Sequence, residues 1–243
     1  MEYDYIECGD CLELLKQLPD KSVDLVVTDP PYDFMSKHGS NNYAGAGAFG
    51  TLGRTYHKEL SNSNIIKGIN NDVLDELVRV MKKVNIYIWC NKEQIKQYLD
   101  YFKEYNMELI TWHKTNPVPT CSNKYLSDTE YLLFFREKGV KIYGSYETKK
   151  KYYVTPTNKE DKKLYQHPTI KPLEIIQNLI INSSQEGDVV LDCFLGSGTT
   201  AVAAVNTNRH YIGFELNEEY FDIACKRLDE AEDINENQLS LDL

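Results

Sequence analysis

Long apolar runs are missing from this chain of 243 residues, and no stretch approaches the roughly eighteen uninterrupted apolar residues that a membrane-spanning helix needs. The opening Met1-Glu2-Tyr3-Asp4-Tyr5 has neither the basic flank nor the apolar stretch of a secretion signal, so a cytoplasmic protein with reduced thiols is expected. Paired cysteine motifs are scarce too. The six cysteines stand at 8, 11, 90, 121, 193 and 225, and only Cys8 and Cys11 are close. A structural zinc site shows a second such pair or spaced histidines, so no metal is expected, and the pair reads as small hydrophobes bracketing a turn. Positive charge is short overall, with 27 Lys and Arg against 37 Asp and Glu. A surface basic throughout, as phosphate binding favours, is thereby excluded. The deficit is uneven: residues 136–171 hold ten basic and four acidic side chains, which leaves +6 there and −16 elsewhere. A basic strip on an acidic body can hold a polyanion without general adhesion.

What is present alternates strand and helix. Residues 3–8, 23–28, 84–90, 108–113, 129–136, 189–193 and 210–214 read as strands, and the continuous apolar runs among them suit parallel strands buried on both faces. Helical spacing covers 11–18, 72–83, 92–105, 172–182, 199–206 and 220–231. The expected fold is a doubly wound α/β domain whose sheet has seven strands, mostly parallel with one antiparallel. Its halves, 1–116 and 167–231, flank a polar, basic, tyrosine-bearing insert at 117–166. A long mobile loop is expected at 33–70 and a disordered acidic tail at 232–243.

Two short motifs carry chemistry. Phe194-Leu195-Gly196-Ser197-Gly198-Thr199-Thr200 follows a strand and opens a helix, where glycines let backbone approach a ligand and unpaired N–H groups suit a carboxylate. Glu215 ends the next strand, where a carboxylate accepts from ribose hydroxyls. With two of the three dinucleotide glycines, the turn favours a nucleoside without pyrophosphate. Gly45-Ala46-Gly47-Ala48-Phe49-Gly50 matches the full glycine pattern, but no strand feeds it and no helix follows, so it reads as flexibility. Asp29-Pro30-Pro31-Tyr32 ends the strand at 23–28. A carboxylate and the Pro30 carbonyl, held rigid by the prolines, can accept both hydrogens of an exocyclic base amine and free its lone pair for in-line attack; Tyr32 can stack on the base.

Together with His167-Pro168-Thr169-Ile170-Lys171-Pro172, and in this order, Thr28-Asp29-Pro30-Pro31-Tyr32 and the glycine turn resemble the β-class DNA amino-methyltransferases, a circularly permuted form of the adenine-N6 and cytosine-N4 enzymes. Ile170 departs from the family, which often has glutamine there. The resemblance implies methyl transfer from S-adenosylmethionine to a flipped-out base in double-stranded DNA. In it Asp29, Pro30, Pro31 and Tyr32 form the catalytic motif. Lys171 and the Thr199 and Thr200 hydroxyls hold the methionine carboxylate, Glu215 the ribose, and Asp10 with the Cys11 backbone the adenine. His167, Asp192, Phe194, Gly196 and Gly198 complete the cofactor set. An acid at position 10, before an amphipathic helix, reads equally as an N-cap. The insert resembles the family's target-recognition region, with Arg136, Lys149, Lys150 and Lys151 expected on phosphates, and Arg54, in the loop after the catalytic motif, is expected to meet DNA. Asp29, where cytosine-N4 enzymes more often carry serine, implies adenine N6. The residues alone leave a cytosine-N4 enzyme, a non-catalytic DNA-binding module and a dinucleotide oxidoreductase open, as well as a homodimer and a cognate restriction endonuclease as partners.

Overall fold

The computed structural model describes residues 2–32, 68–117, 125–157, 165 and 170–241, with side chains to residue 233. Eight strands form a single sheet: β1 (Tyr5–Cys8), β2 (Leu25–Thr28), β3 (Asn85–Cys90), β4 (Asn106–Lys114), β5 (Thr129–Arg136), β6 (Tyr152–Thr155), β7 (Val189–Asp192) and β8 (His210–Glu215). Their spatial order is β1-β8-β7-β2-β3-β5-β4-β6, and only β5 runs against the others. Every residue of β2, β3 and β7 is buried, which is why these segments read as unbroken apolar runs rather than alternating ones.

Helices cover both faces. α1 (Cys11–Leu15), α2 (Asn71–Val80) and α3 (Ile95–Tyr101) pack on one side with Ile86, Ile88 and Phe135. α4 (Leu173–Ser183), α5 (Thr199–Val205) and α6 (Glu218–Leu241) pack on the other with Tyr87, Trp89 and Phe134. The alternation along β3 feeds one layer from odd positions and the other from even ones. α2 shows how a helix is fixed locally: the Asn70 side chain accepts from Val73 N at 3.1 Å, and Val73, Leu74, Leu77 and Val80 form its buried stripe. Leu74 and Leu77 are fully buried, each stabilising the layer by about 2 kcal/mol. No helix among the described residues is long and apolar enough to cross a membrane.

The doubly wound plan and the one antiparallel strand agree with the sequence reading, and three details differ. The sheet has an eighth strand, β6, because Tyr152–Thr155 pairs parallel with β4 inside a stretch expected to be irregular. Within the insert expected at 117–166, described strands join the main sheet: β5 sits between β3 and β4, and β6 forms the edge. The expected acidic tail is helical to Leu241, since 217–241 contains neither glycine nor proline to stop α6. The loop expected at 33–70 lies outside the described residues up to position 67.

From β7 the chain proceeds to β8 on one side, and from β2 to β3 on the other. The connections diverge between β7 and β2, so a crevice opens there at the C-terminal ends of the strands.

Candidate active site

A cavity of about 800 Å³ occupies this crevice. Asp10 from the end of β1, Asp29 and Tyr32 from the end of β2, Lys171 before α4, Gly196 after β7 and Glu215 from the end of β8 all line it. Strand ends deliver these groups because each apolar run stops at a polar or helix-breaking residue. Volumes of this order accommodate a nucleoside with an amino-acid arm.

At the β7 and β8 end the cradle is held by polar contacts within the protein. Gly198 caps α5 at φ 84°, a conformation glycine adopts without strain. Asp192 accepts from Thr28 Oγ1 at 2.9 Å, Thr200 Oγ1 at 2.6 Å and Phe194 N at 3.1 Å, tying β2 to the turn after β7. Burial lifts its carboxyl to about 6 despite these donors. Arg227, buried on α6, donates to Ser197 O at 2.7 Å, Ser197 Oγ at 2.9 Å and Thr199 Oγ1 at 3.1 Å, with its guanidinium 4.4 Å from the Tyr165 ring. Glu215 accepts from Gly196 N at 2.7 Å and Asn217 N at 2.8 Å, so its carboxylate is oriented at the cavity wall. Burial raises its pKa, and those N–H groups partly offset the rise. Asp10 is the N-cap of α1, accepting from Leu12 N at 2.9 Å and Glu13 N at 3.2 Å through Oδ1 while lining the cavity.

The β2 end holds a cluster of opposite charges. Lys171 Nζ binds Asp29 Oδ2 and lies 3.2 Å from Glu130 Oε2. Glu130 Oε1 also pairs with Lys114 at 2.5 Å, and Tyr32 OH donates to Glu130 Oε2 at 3.3 Å. The Lys171 ammonium sits 4.9 Å from the Trp89 ring and 5.7 Å from the Tyr32 ring, both within range of cation–π attraction. Burial opposes ionisation of Glu130, but the two ammonium groups outweigh it and hold the carboxyl at about 2. Burial raises the Asp29 pKa, with Lys171 pulling the other way. Asp29 Oδ1 is buried and lacks a hydrogen-bond partner among the described residues. Gln94 donates to the Pro31 carbonyl at 3.0 Å and fixes the turn from beneath.

The structure thus brings Asp10, Cys11, Asp29 to Tyr32, Lys171, Asp192, Phe194, Gly196, Thr199, Thr200 and Glu215 to one cavity. Three placements add to the sequence reading. Lys171 lines the cavity, bound to Asp29 and close to Glu130. The Thr200 hydroxyl donates to Asp192 and that of Thr199 accepts from Arg227, and both residues line the cavity. Arg136 and Lys149 to Lys151 are at the opposite edge of the sheet: β5 runs backwards, so Arg136 pairs with Asn85 at the start of β3, and Lys151 precedes β6. There Arg136 donates to Val140 O at 3.1 Å, Lys150 pairs with Glu147 and Lys151 with Glu108. Arg54 and His167 lie outside the described residues.

Glu130, Lys114, Trp89, Gln94 and Arg227 were not singled out from sequence. A charged residue at the rim of an apolar strand was the available signal for Lys114 and Glu130. Its meaning depended on knowing that β5 is antiparallel, which carries its first residues to the same edge as the last residues of β2 and β4.

The family model described as DNA methylase matches residues 23–226. Among curated relatives, the Type II methyltransferase M2.LlaDCHI of Lactococcus lactis subsp. cremoris is 32% identical over 249 residues, covering 92% of this chain and 88% of that protein. The crystal structure of the M1.HpyAVI-SAM complex superposes with a TM-score of 0.65 at 26% identity, over 92% of this chain and 98% of that one. PvuII DNA methyltransferase (cytosine-N4-specific) has a TM-score of 0.68 at 17% identity, over 99% and 94%, a likeness of fold alone. A crevice at the strand-order switch, a glycine turn opposite an acid on the next strand and the match over residues 23–226 converge: the chain belongs to the DNA methylase family.

Proposed function

We propose that the protein transfers a methyl group from S-adenosylmethionine to the exocyclic N6 of adenine in double-stranded DNA, with the target base turned out of the helix. The observation that carries this reading is the buried Oδ1 of Asp29, without a hydrogen-bond partner among the described residues, beside the cavity. An acceptor left without a donor in a desolvated site is costly unless a ligand N–H completes it. When bound, S-adenosylmethionine supplies an electrophilic methyl group on its sulfonium. Asp29 accepts one amine hydrogen and the Pro30 carbonyl the other, which draws the nitrogen lone pair out of conjugation. The lone pair so freed can take the methyl group that the bound cofactor would supply, and the surplus amine proton then leaves to Asp29. Tyr32, with its hydroxyl on Glu130, offers its ring to the base.

The cofactor fits the residues present. Glu215 is oriented by two backbone N–H groups at the cavity wall and retains lone pairs for the ribose hydroxyls. The order of motifs, Asp29 before the glycine turn, supports the permuted arrangement of the β class. Adenine is favoured over cytosine because Asp29 stands where cytosine-N4 enzymes more often carry serine.

Expression in a host without adenine or cytosine methylation, followed by sequencing with direct modified-base detection, tests both base and site. N6-methyladenine at one recurring sequence is expected, and N4-methylcytosine there would refute the choice of base. Asp29→Ala is expected to abolish methylation while leaving S-adenosylmethionine affinity within about twofold, since Asp29 is catalytic rather than part of the cofactor cradle. Near-normal turnover would sink the role of Asp29.

A further inference from the structure

Four charged side chains from four separate segments meet beside the target-base end of the cavity: Asp29 after β2, Lys114 at the end of β4, Glu130 in β5 and Lys171 before α4. Their charges cancel, yet only Asp29 has a part in the chemistry above. The Lys171 ammonium occupies Asp29 Oδ2 and leaves Oδ1, the oxygen that is to receive an amine hydrogen, open. It is also within 3.2 Å of Glu130 Oε2, and both lysine and glutamate are largely buried. The ammonium is therefore suspended between two carboxylates, with the Trp89 and Tyr32 rings beside it.

We propose that Glu130 is a positioning residue that, by sharing the Lys171 ammonium, fixes Asp29 through Oδ2 and keeps Oδ1 turned to the place of the amine. Lys114 pairs with Glu130 at 2.5 Å and keeps it ionised and hence able to hold the ammonium, its carboxyl lying at about 2. Glu130 has a second effect through charge. Without it Lys114 and Lys171 would leave the pocket with an excess positive charge, facing a cationic methyl donor and an amine that becomes positive as it is methylated. Tyr32, which donates to the same Oε2, gains order from the arrangement.

This inference rests on the proposed methyl transfer, and the experiment separates the two. The full chain and the variants E130Q, K171Q, E130Q/K171Q and K114M are compared for transfer of labelled methyl from S-adenosylmethionine to unmethylated bacterial DNA, for cofactor affinity and for rate against pH. No transfer by the parent chain overturns the function itself. With transfer established, E130Q is expected to lose about 100-fold in kcat while binding S-adenosylmethionine within about twofold. Because Glu130 acts through Lys171, the double variant is expected to be no slower than K171Q, whereas independent, multiplying losses overturn the proposal. The pH profile gives a readout that simple misfolding would not produce. The charged and titratable described groups around Asp29 are Lys171, Glu130, Lys114, Tyr32, Cys90, Tyr98 and Asp192. Removing the Glu130 charge lowers the Asp29 pKa and moves the acid limb of the profile down. Removing Lys114 moves it up. Shifts in the same direction, or none, overturn the proposal, and K114M preserves this arm should E130Q fail to fold.

Discussion

Replacing Arg227 with methionine isolates the link between α6 and the glycine turn. The guanidinium is only 5% exposed and makes three hydrogen bonds, two to Ser197 and one to Thr199. Methionine keeps most of the aliphatic stem and its packing but none of the donors. The Ser197 hydroxyl can rotate to another partner, whereas its carbonyl cannot. Counting one to two buried acceptors left unmade gives about 2–4 kcal/mol. Loss of the contact with the Tyr165 ring at 4.4 Å adds about 0.5–2 kcal/mol. With a urea slope of about 2–3 kcal/mol/M, the unfolding midpoint should fall by roughly 1–2 M. The turn that loses its anchor carries Gly196 and Gly198, so cofactor binding should weaken about tenfold for each 1.4 kcal/mol that appears as local loosening of the turn. Urea unfolding and calorimetric titration with S-adenosylmethionine measure the two effects separately. Arg227→Lys should recover part of each, since one ammonium can reach some but not all of the acceptors. An Arg227→Met protein with the parent's midpoint and cofactor affinity would refute the assignment of Arg227 as the anchor of the turn.

Two further perturbations test the frame. Gly198→Ala forces a side chain into φ 84° and sets its Cβ 3.1 Å from the Ala224 Cα, so about 1–2 kcal/mol of strain and at least tenfold weaker cofactor binding are expected; unchanged binding by titration would contradict the geometry. Asp192, with its carboxyl raised to about 6 from an ordinary 3.8, gives stability that is full below about pH 3.8 and lost as pH rises through about 6. The stability of the parent relative to Asp192→Asn should therefore fall by about 3 kcal/mol between about pH 4 and pH 7, and a flat difference in urea unfolding would show that burial does not raise this carboxyl.

The strands were legible because β2, β3 and β7 are buried on both faces and carry uninterrupted apolar runs bounded by polar or breaking residues. Asp29 and Glu215 were legible for the same reason, since each stands where a run stops. Register and direction were not. Nothing in Thr129–Arg136 reveals that it runs backwards between β3 and β4, and that one reversal brings Glu130 to the crevice while sending Arg136 to the far edge. β6 escaped notice because only alternate residues are partly covered and Tyr152 and Val154 are exposed, so its apolar pattern is weak. Asp10 illustrates a different limit. An acid before a helix satisfies backbone donors whether or not it also faces a ligand, and here it both caps α1 and lines the cavity.

The strand order also constrains how the protein is made. Among the described strands β1 pairs with β8 alone, and β2 needs β7 on one side, so two of the three strands β1 to β3 wait for partners encoded much later in the chain. Until then β2 presents an unpaired, wholly apolar edge, the kind of surface that joins other chains or recruits chaperones. Asp29 and the glycine turn likewise come together only after Asp192 has emerged and paired Thr28 with the end of β7. A nascent or truncated first half is thus a folding liability with an open sheet edge rather than a partly active enzyme, and the halves of the crevice acquire function in a single late step.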